Sequence, residues 1–299
     1  MLLITGVTGH TGGYFLQQLI DNNYTGEIRC IVRQSSDTYA LDQCGLKIEK
    51  VIGDLNNPQV LEEAITRVDT VVHIYNIHHS PMIIRAAINN QVKRVVLVHT
   101  TGIYSKFKKA SQEYKEVEKE VLRLSQSIGG KINVTILRPT MIYGDLCDRN
   151  ISKFIRMVDK LKVIPVINKG ENLIQPVHAK DLATAIYEVL VSPEKTKNKA
   201  YIISGDRPIK MIEVLKAISK GLNKKTLYMN IPIRFAILVA ICTKIASIGK
   251  IDIVEKIQRM GEDRSYSHEA AKIDLGYSPI PFETGLQTEI EAYRCKINS

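Results

Sequence analysis

The sequence has no C-x-x-C pair and no zinc-finger spacing; its five cysteines (Cys30, Cys44, Cys147, Cys242, Cys295) are scattered and odd in number. That argues against a disulfide framework and fits a reducing cytosol, so a cytoplasmic location is expected. No long apolar run exists either. The longest, Phe235 to Cys242, is eight residues, against the ~20 needed to span a bilayer. Met1-Leu2-Leu3-Ile4 runs straight into a glycine turn with no basic-then-apolar leader before it, so no signal peptide is expected. Internal repeats and low-complexity tracts are lacking. His78-His79 has no third ligand at a readable spacing, and no metal site is expected. The basic stretch Lys106, Lys108, Lys109 has only Phe107 interleaved, too little stacking surface for a nucleic-acid partner.

What is present is ordinary in bulk. The 299 residues correspond to about two domains, or one large α/β unit with an appendage. A hydrophobic content of 44% with 18 glycines gives enough apolar surface to fold. Lys and Arg number 41 against 31 Asp and Glu, a net charge of +10. That balance suits anionic partners, although lysines dispersed in solvent account for it equally well.

Short apolar runs alternate with helical patterns through the first half. Leu2 to Ile4, Ile28 to Val32, Lys47 to Ile52, Val71 to Ile74, Val95 to Val98 and Val134 to Leu137 read as strands. Helices are expected after the first strand, over Pro81 to Asn90 and over Glu113 to Gln126. Fully apolar strands alternating with helices predict a parallel sheet covered on both faces, hence a doubly wound α/β fold. Residues 1–144 form the expected dinucleotide-binding domain. Residues 145–299 are expected to return partly to the sheet and partly to form a smaller substrate lobe, with helices over Ile151 to Leu161, Asp181 to Leu190 and Met211 to Leu222 and a polar loop over Pro193 to Lys199.

The strongest signal is Thr5-Gly6-Val7-Thr8-Gly9-His10-Thr11-Gly12, between an apolar strand and an amphipathic helix. Gly6 permits a tight turn, Gly9 lets the backbone approach a pyrophosphate, and Gly12 lets the helix pack on the strand. The helix start adds free N–H groups and a positive dipole end, so Gly6, Thr8, Gly9, His10, Thr11 and Gly12 are the expected phosphate cradle. Arg33 stands at the end of the second strand, where an acid would accept the ribose hydroxyls of NAD. Its guanidinium favours the 2′-phosphate of NADP, with Asp37 an alternative acid in the next loop. Asp54 and Leu55 follow the third strand; Asp54 reads equally as an adenine partner, with Leu55 against the ring, or as a helix cap.

With these motifs quoted, the chain resembles the extended or atypical short-chain dehydrogenase/reductase superfamily, of the NAD-dependent epimerase/dehydratase type. The carriers are TGVTGHTG (5–12), GDL (53–55), VVHIYN (71–76), VKRVVLVHTTGIY (92–104), ILRPTMIYG (136–144), PVHAKDLATAI (176–186) and LGYSPIPFETGL (275–286). The resemblance implies a Rossmann-type sheet with a lobe that closes over a small-molecule substrate, often a nucleotide sugar. It implies that His73 to Asn76, with Tyr75 and Asn76, line the pyrophosphate and ribose path, and that Thr100 is the catalytic Ser/Thr. Pro139 would shape the strand end beside the nicotinamide, and His178 and Asp181 would join the two lobes. The family's chemistry also needs a Y-x-x-x-K pair on one helix, and here the sequence departs. Aligning Glu118 with the helix's usual glutamate puts Tyr114 at the lysine position and Ala110 at the tyrosine position; aligning Glu120 instead puts Glu116 and Gln112 there. Tyr104 with Lys108 has the right spacing in a loop, and Tyr114 with Lys115 the wrong one on the helix. Tyr114 is the best single proton-transfer candidate.

The expected function is therefore an NAD(P)-dependent oxidoreductase, epimerase or dehydratase. The alternative is a nucleotide-binding sensor or assembly factor with degraded chemistry. The apolar segment 231–249 is expected to cover the lobe's core, to meet a partner subunit such as a second copy in a homodimer, or to lie on a membrane surface.

Overall fold

The computed structural model describes residues 1–127, 132–148, 150–247, 250 and 252–298. Among them, β1 (Leu2–Thr5), β2 (Ile28–Val32), β3 (Ile48–Ile52), β4 (Thr70–His73), β5 (Arg94–Val98) and β6 (Asn133–Pro139) share one sheet with Ala200–Ile203. Every pairing in it is parallel, and β1 lies between β2 and β4. Chain order reverses at β1, which opens a crevice at the carboxyl ends of β1 and β4. The inner strands β1, β4 and β5 are buried on both sides because both faces are covered, whereas the edge strand β3 exposes Glu49 and Lys50. One face packs Phe15, Leu19, Leu182 and Ile186; the other packs Leu61, Ile65, Ile83 and Val121.

The helices over these faces are α1 (His10–Asp21), α2 (Pro58–Ile65), α3 (Ser80–Asn89), α4 (Lys108–Gln126) and, from the second half of the chain, Ala179–Val191. The last packs on α1. Ala200–Ile203, from the second half of the chain, pairs with β6 from Ala200↔Ile136 onwards. Pro193–Thr196 is a short helix rather than loop, tied down by Thr196, whose hydroxyl donates to the Ser192 carbonyl and accepts from Arg94. The smaller lobe has its own core of Ile155, Ile164, Leu215, Ile218, Phe282 and Leu286.

The apolar segment forms the helix Ile233–Ala246, and it does not cover that core: only Ala236 and Ala240 of its residues are buried. No helix among the described residues is long and apolar enough to cross a membrane.

Candidate functional site

The turn after β1 is shaped by space as much as by flexibility. Gly6 has φ +81°, and a Cβ there would stand 2.9 Å from the Tyr75 amide nitrogen. A Cβ on Gly12 would stand 2.0 Å from the Gly6 carbonyl oxygen, so only glycine lets α1 rise this close to the strand. Gly9 donates its amide to that carbonyl at 3.0 Å and is the N-cap of α1, with no side-chain cap hydrogen bond. The amides of His10 to Gly12 thus begin a helix whose positive end is open.

These residues line a cleft of about 420 Å³ with Arg33, Ser36, Asp54, Leu55 and Tyr75; Ile142, Asp148 and Asn150 line it from the segment after β6. The loop behind Asp148 is anchored across the fold by Tyr14, whose hydroxyl donates to Asp145 at 2.6 Å. His10 Nε2 is buried with no hydrogen-bond partner, and burial holds its pKa below the ordinary value although Asp145 and Asp148 pull it up. A phosphate-bearing ligand would satisfy both the open helix end and this nitrogen, so the cradle fits a dinucleotide.

Ten of the twelve residues expected at the cofactor line this cleft: Gly6, Thr8, Gly9, His10, Thr11, Gly12, Arg33, Asp54, Leu55 and Tyr75. Asn76 and Pro139 do not. The Asn76 side chain accepts from the His78 amide at 3.1 Å, and the Pro139 carbonyl accepts from the Thr101 hydroxyl at 3.1 Å. Asp54 is not the helix cap. It accepts from the Asn56 amide at 2.8 Å, while Asn57 caps α2 by accepting from the Gln59 amide at 3.0 Å. Asp37 accepts from the Tyr39 amide at 2.9 Å and is not among the residues lining the cleft, which leaves Arg33 and Ser36 there after β2. His178 caps Ala179–Val191 through the Lys180 amide. His79 bonds to Asn56, and His78 lies against Tyr114.

A second cavity of about 290 Å³ shares Ile142 and Asn150 with the cleft. Thr100 lines it, with its Oγ1 accepting from the Gly102 amide at 3.0 Å. The Tyr114 ring lies over the same turn: a Cβ on Gly102 would be 2.8 Å from its Cε2. One turn on, Glu118 is buried and accepts from His99 Nδ1 at 3.0 Å and from both Nε and Nη2 of Arg138; His99 Nε2 meets Ser80 Oγ at 3.1 Å. Gln112 and Glu116 are exposed. The inward residue is therefore Glu118, and residues four and eight before it are Tyr114 and Ala110. Tyr114 and Lys115 are not assembled as a pair. Lys115 is exposed, and the Tyr104 hydroxyl accepts from Arg138 Nη1 at 3.1 Å. The side chains of Lys108 and Ala110 lie outside the described residues.

The sequence reading missed the cations of the second cavity. Arg259 and Arg264 line it, and the Nε of each is buried without a partner. Burial and then the like charge of Arg259 hold the Arg264 guanidinium below its ordinary pKa. Glu262, between them in the chain, lines the same cavity and its charge acts on Arg264, but its hydrogen bonds come from Ser105 Oγ at 2.8 Å and the Lys106 amide at 2.6 Å rather than from either arginine. Two half-buried guanidinium groups, each with a buried Nε that lacks a partner, give this cavity donors for an anion.

A profile described as the NmrA-like family matches residues 1–281. The chain is 27% identical over 252 residues to the Dictyostelium discoideum mitochondrial NADH dehydrogenase [ubiquinone] 1 alpha subcomplex subunit 9, covering 77% of this chain and 66% of that protein. It spans just under two thirds of that relative's length. It is 22% identical over 318 aligned positions to UDP-glucose 4-epimerase of Vibrio cholerae, covering 93% and 90% of the two chains. Among solved structures, UDP-glucuronic acid 4-epimerase from Bacillus cereus, in complex with UDP-glucuronic acid and NAD, superposes with a TM-score of 0.76 at 13% identity, covering 99% of each chain. At that identity the likeness is one of fold.

Proposed function

The chain belongs to the NmrA-like family, within the extended short-chain dehydrogenase/reductase superfamily, and from that premise we propose that it binds NADP(H) and acts as an oxidoreductase, epimerase or dehydratase on an anionic small molecule such as a nucleotide sugar. The observation that carries this reading is the adjacency of two spaces: a cleft floored by the glycine turn and a cavity lined by Thr100 and two arginines with unpartnered Nε atoms, both bordered by Ile142 and Asn150.

In this reading the amides of His10 to Gly12 hold the pyrophosphate, Leu55 lies against the adenine, and Arg33 with Ser36 takes the 2′-phosphate. A bound nicotinamide would supply or accept a hydride at a carbinol or carbonyl carbon. Thr100, whose oxygen already accepts from an amide, keeps its own proton to donate to the substrate oxygen. Arg259 and Arg264 neutralise the substrate's anion. Tyr114, whose ring shares the Gly102 turn with Thr100, is the phenol assigned to proton transfer. The five unpaired cysteines accord with a cytoplasmic setting.

A second reading, binding without turnover, is favoured by one observation: inward Glu118 puts Tyr114 and Ala110 where the lysine and tyrosine of the family's pair would stand. Calorimetric titration and turnover followed at the nicotinamide absorbance separate the two. We expect NADPH to bind more tightly than NADH, and Arg33→Ala to weaken NADPH about tenfold, roughly 1.4 kcal/mol, with NADH unchanged. Turnover on a panel of UDP-sugars that Thr100→Ala abolishes supports the enzyme; NADPH binding with no turnover on any supports the binder. Failure of both coenzymes to associate overturns the proposal.

A further inference from the structure

The helix Ile233–Ala246 is built the wrong way round for a soluble protein. Its small residues face in, Ala236 and Ala240 being buried, while Phe235 (59% exposed), Leu238 (56%) and Ile245 (72%) face out. Surface helices ordinarily bury the large apolar side chains and leave the polar ones in water. The strands leading to it share the inversion. Val163–Ile167 pairs in parallel with Leu227–Ile231, matching Val163 with Leu227 and Pro165 with Met229. All four of these are exposed, whereas Ile164 and Val166, on the alternate face, are buried. The strand face and the helix adjoin at Gly261, where an added Cβ would meet both Ile233 and Ile167. Eleven of the nineteen large apolar side chains exposed in the described structure come from residues 161–163 and 227–260. A patch this concentrated marks an interaction surface.

Its charge selects the occupant. From Lys224 to Lys250 the sequence holds five basic residues and no acidic one. Lys224 pairs with Asp159 and Lys244 with Asp252, while Lys225, Arg234 and Lys250 have no ion pair among the described residues. A second copy would bring the same cations against these, in a chain already at +10. An anionic lipid surface supplies both an apolar layer for the side chains and negative headgroups for the rim. We propose that the outer face of Ile233–Ala246 and of the Val163–Ile167/Leu227–Ile231 strand pair docks this protein on an anionic bilayer, lying in the interface without crossing it. The contact does not depend on the cofactor site.

Sedimentation of the full chain with vesicles tests this. With equimolar phosphatidylcholine and phosphatidylglycerol at about 0.1 M salt the protein should pellet. With phosphatidylcholine alone, or at about 0.5 M salt, bound protein should fall about tenfold, since screening shortens the reach of the basic rim. Phe235→Glu and Leu238→Glu, both solvent-facing, should each abolish pelleting while circular dichroism and NADPH titration stay as in the parent. Failure of the parent to bind the anionic vesicles overturns the proposal, as does pelleting that survives both substitutions. So does a dimer in light scattering that Leu238→Glu returns to monomer, which would assign the face to a second copy.

Discussion

Two adjacent glycines in α1 show how far a single position can depend on its neighbours. At Gly12 an added methyl would stand 2.0 Å from the Gly6 carbonyl oxygen and 2.6 Å from that of Val7, both backbone atoms that cannot swing aside. At Gly13 it would meet nothing within 4 Å. Gly12→Ala is expected to cost about 3 kcal/mol, at the upper end for overpacking, and to abolish NADPH binding because the helix must lift off the turn. Gly13→Ala should instead stabilise by about 0.5–1 kcal/mol, the ordinary gain of alanine over glycine inside a helix. Chemical denaturation and calorimetric titration of the two variants would separate a cradle set by contact from one needing only flexibility. The G-x-x-G-x-x-G spacing made this cradle legible in the sequence, because each glycine answers a local demand.

At the scale of elements, α4 is fixed to the sheet by Glu118. Burial alone would raise its pKa, but the hydrogen bonds from His99 and Arg138 outweigh burial and hold the carboxyl at about 2. A lowered carboxylate stabilises the fold above its unfolded pKa of about 4.5, and the contribution fades as pH falls toward 2. Glu118→Gln should therefore cost about 3 kcal/mol at neutral pH, leaving Arg138 half-buried without its counter-ion, and should flatten the acid limb of a denaturation series between about pH 5 and 2. The same residue explains what sequence alone left open. Two alignments of α4 differ by two positions, and the partners that choose between them are His99, just past β5, and Arg138 in β6. The inner strands were readable because burial on both faces leaves a continuous apolar run. Asp145, held by Tyr14 from 131 residues away, and the arginines beyond residue 255 carry no local pattern. The apolar stretch 235–242 was visible, but which of its faces looks outward is decided by where the lobe puts Ala236 and Ala240.

The whole molecule stores charge in an unusual state. Burial, then the Asp148 carboxyl, pushes Glu289 up to about 9, and burial pushes Asp181 up to about 7. Raised carboxyls are protonated in the fold, so their contribution is complete below the unfolded values near 4 and is lost as pH climbs through about 7 and about 9. Thermal stability should accordingly decline from about pH 5 to pH 9. Glu289→Gln, which keeps the shape without the ionisable proton, should raise stability by about 2 kcal/mol at pH 8 and shallow that decline; a scanning-calorimetry series across the range reads both. Synthesis meets the sheet differently. β6 has its outer neighbour only at Ala200–Ile203, and the Arg94 guanidinium finds its carbonyl acceptors only at Val189 and Leu190. A ribosome adding about 5–20 residues per second leaves that strand unpaired for several seconds after β6 emerges. An unpaired parallel edge is a template for intermolecular pairing, so the nascent chain is most exposed to such pairing between β6 and Ala200, and a fragment cut at residue 144 would keep that bare edge permanently.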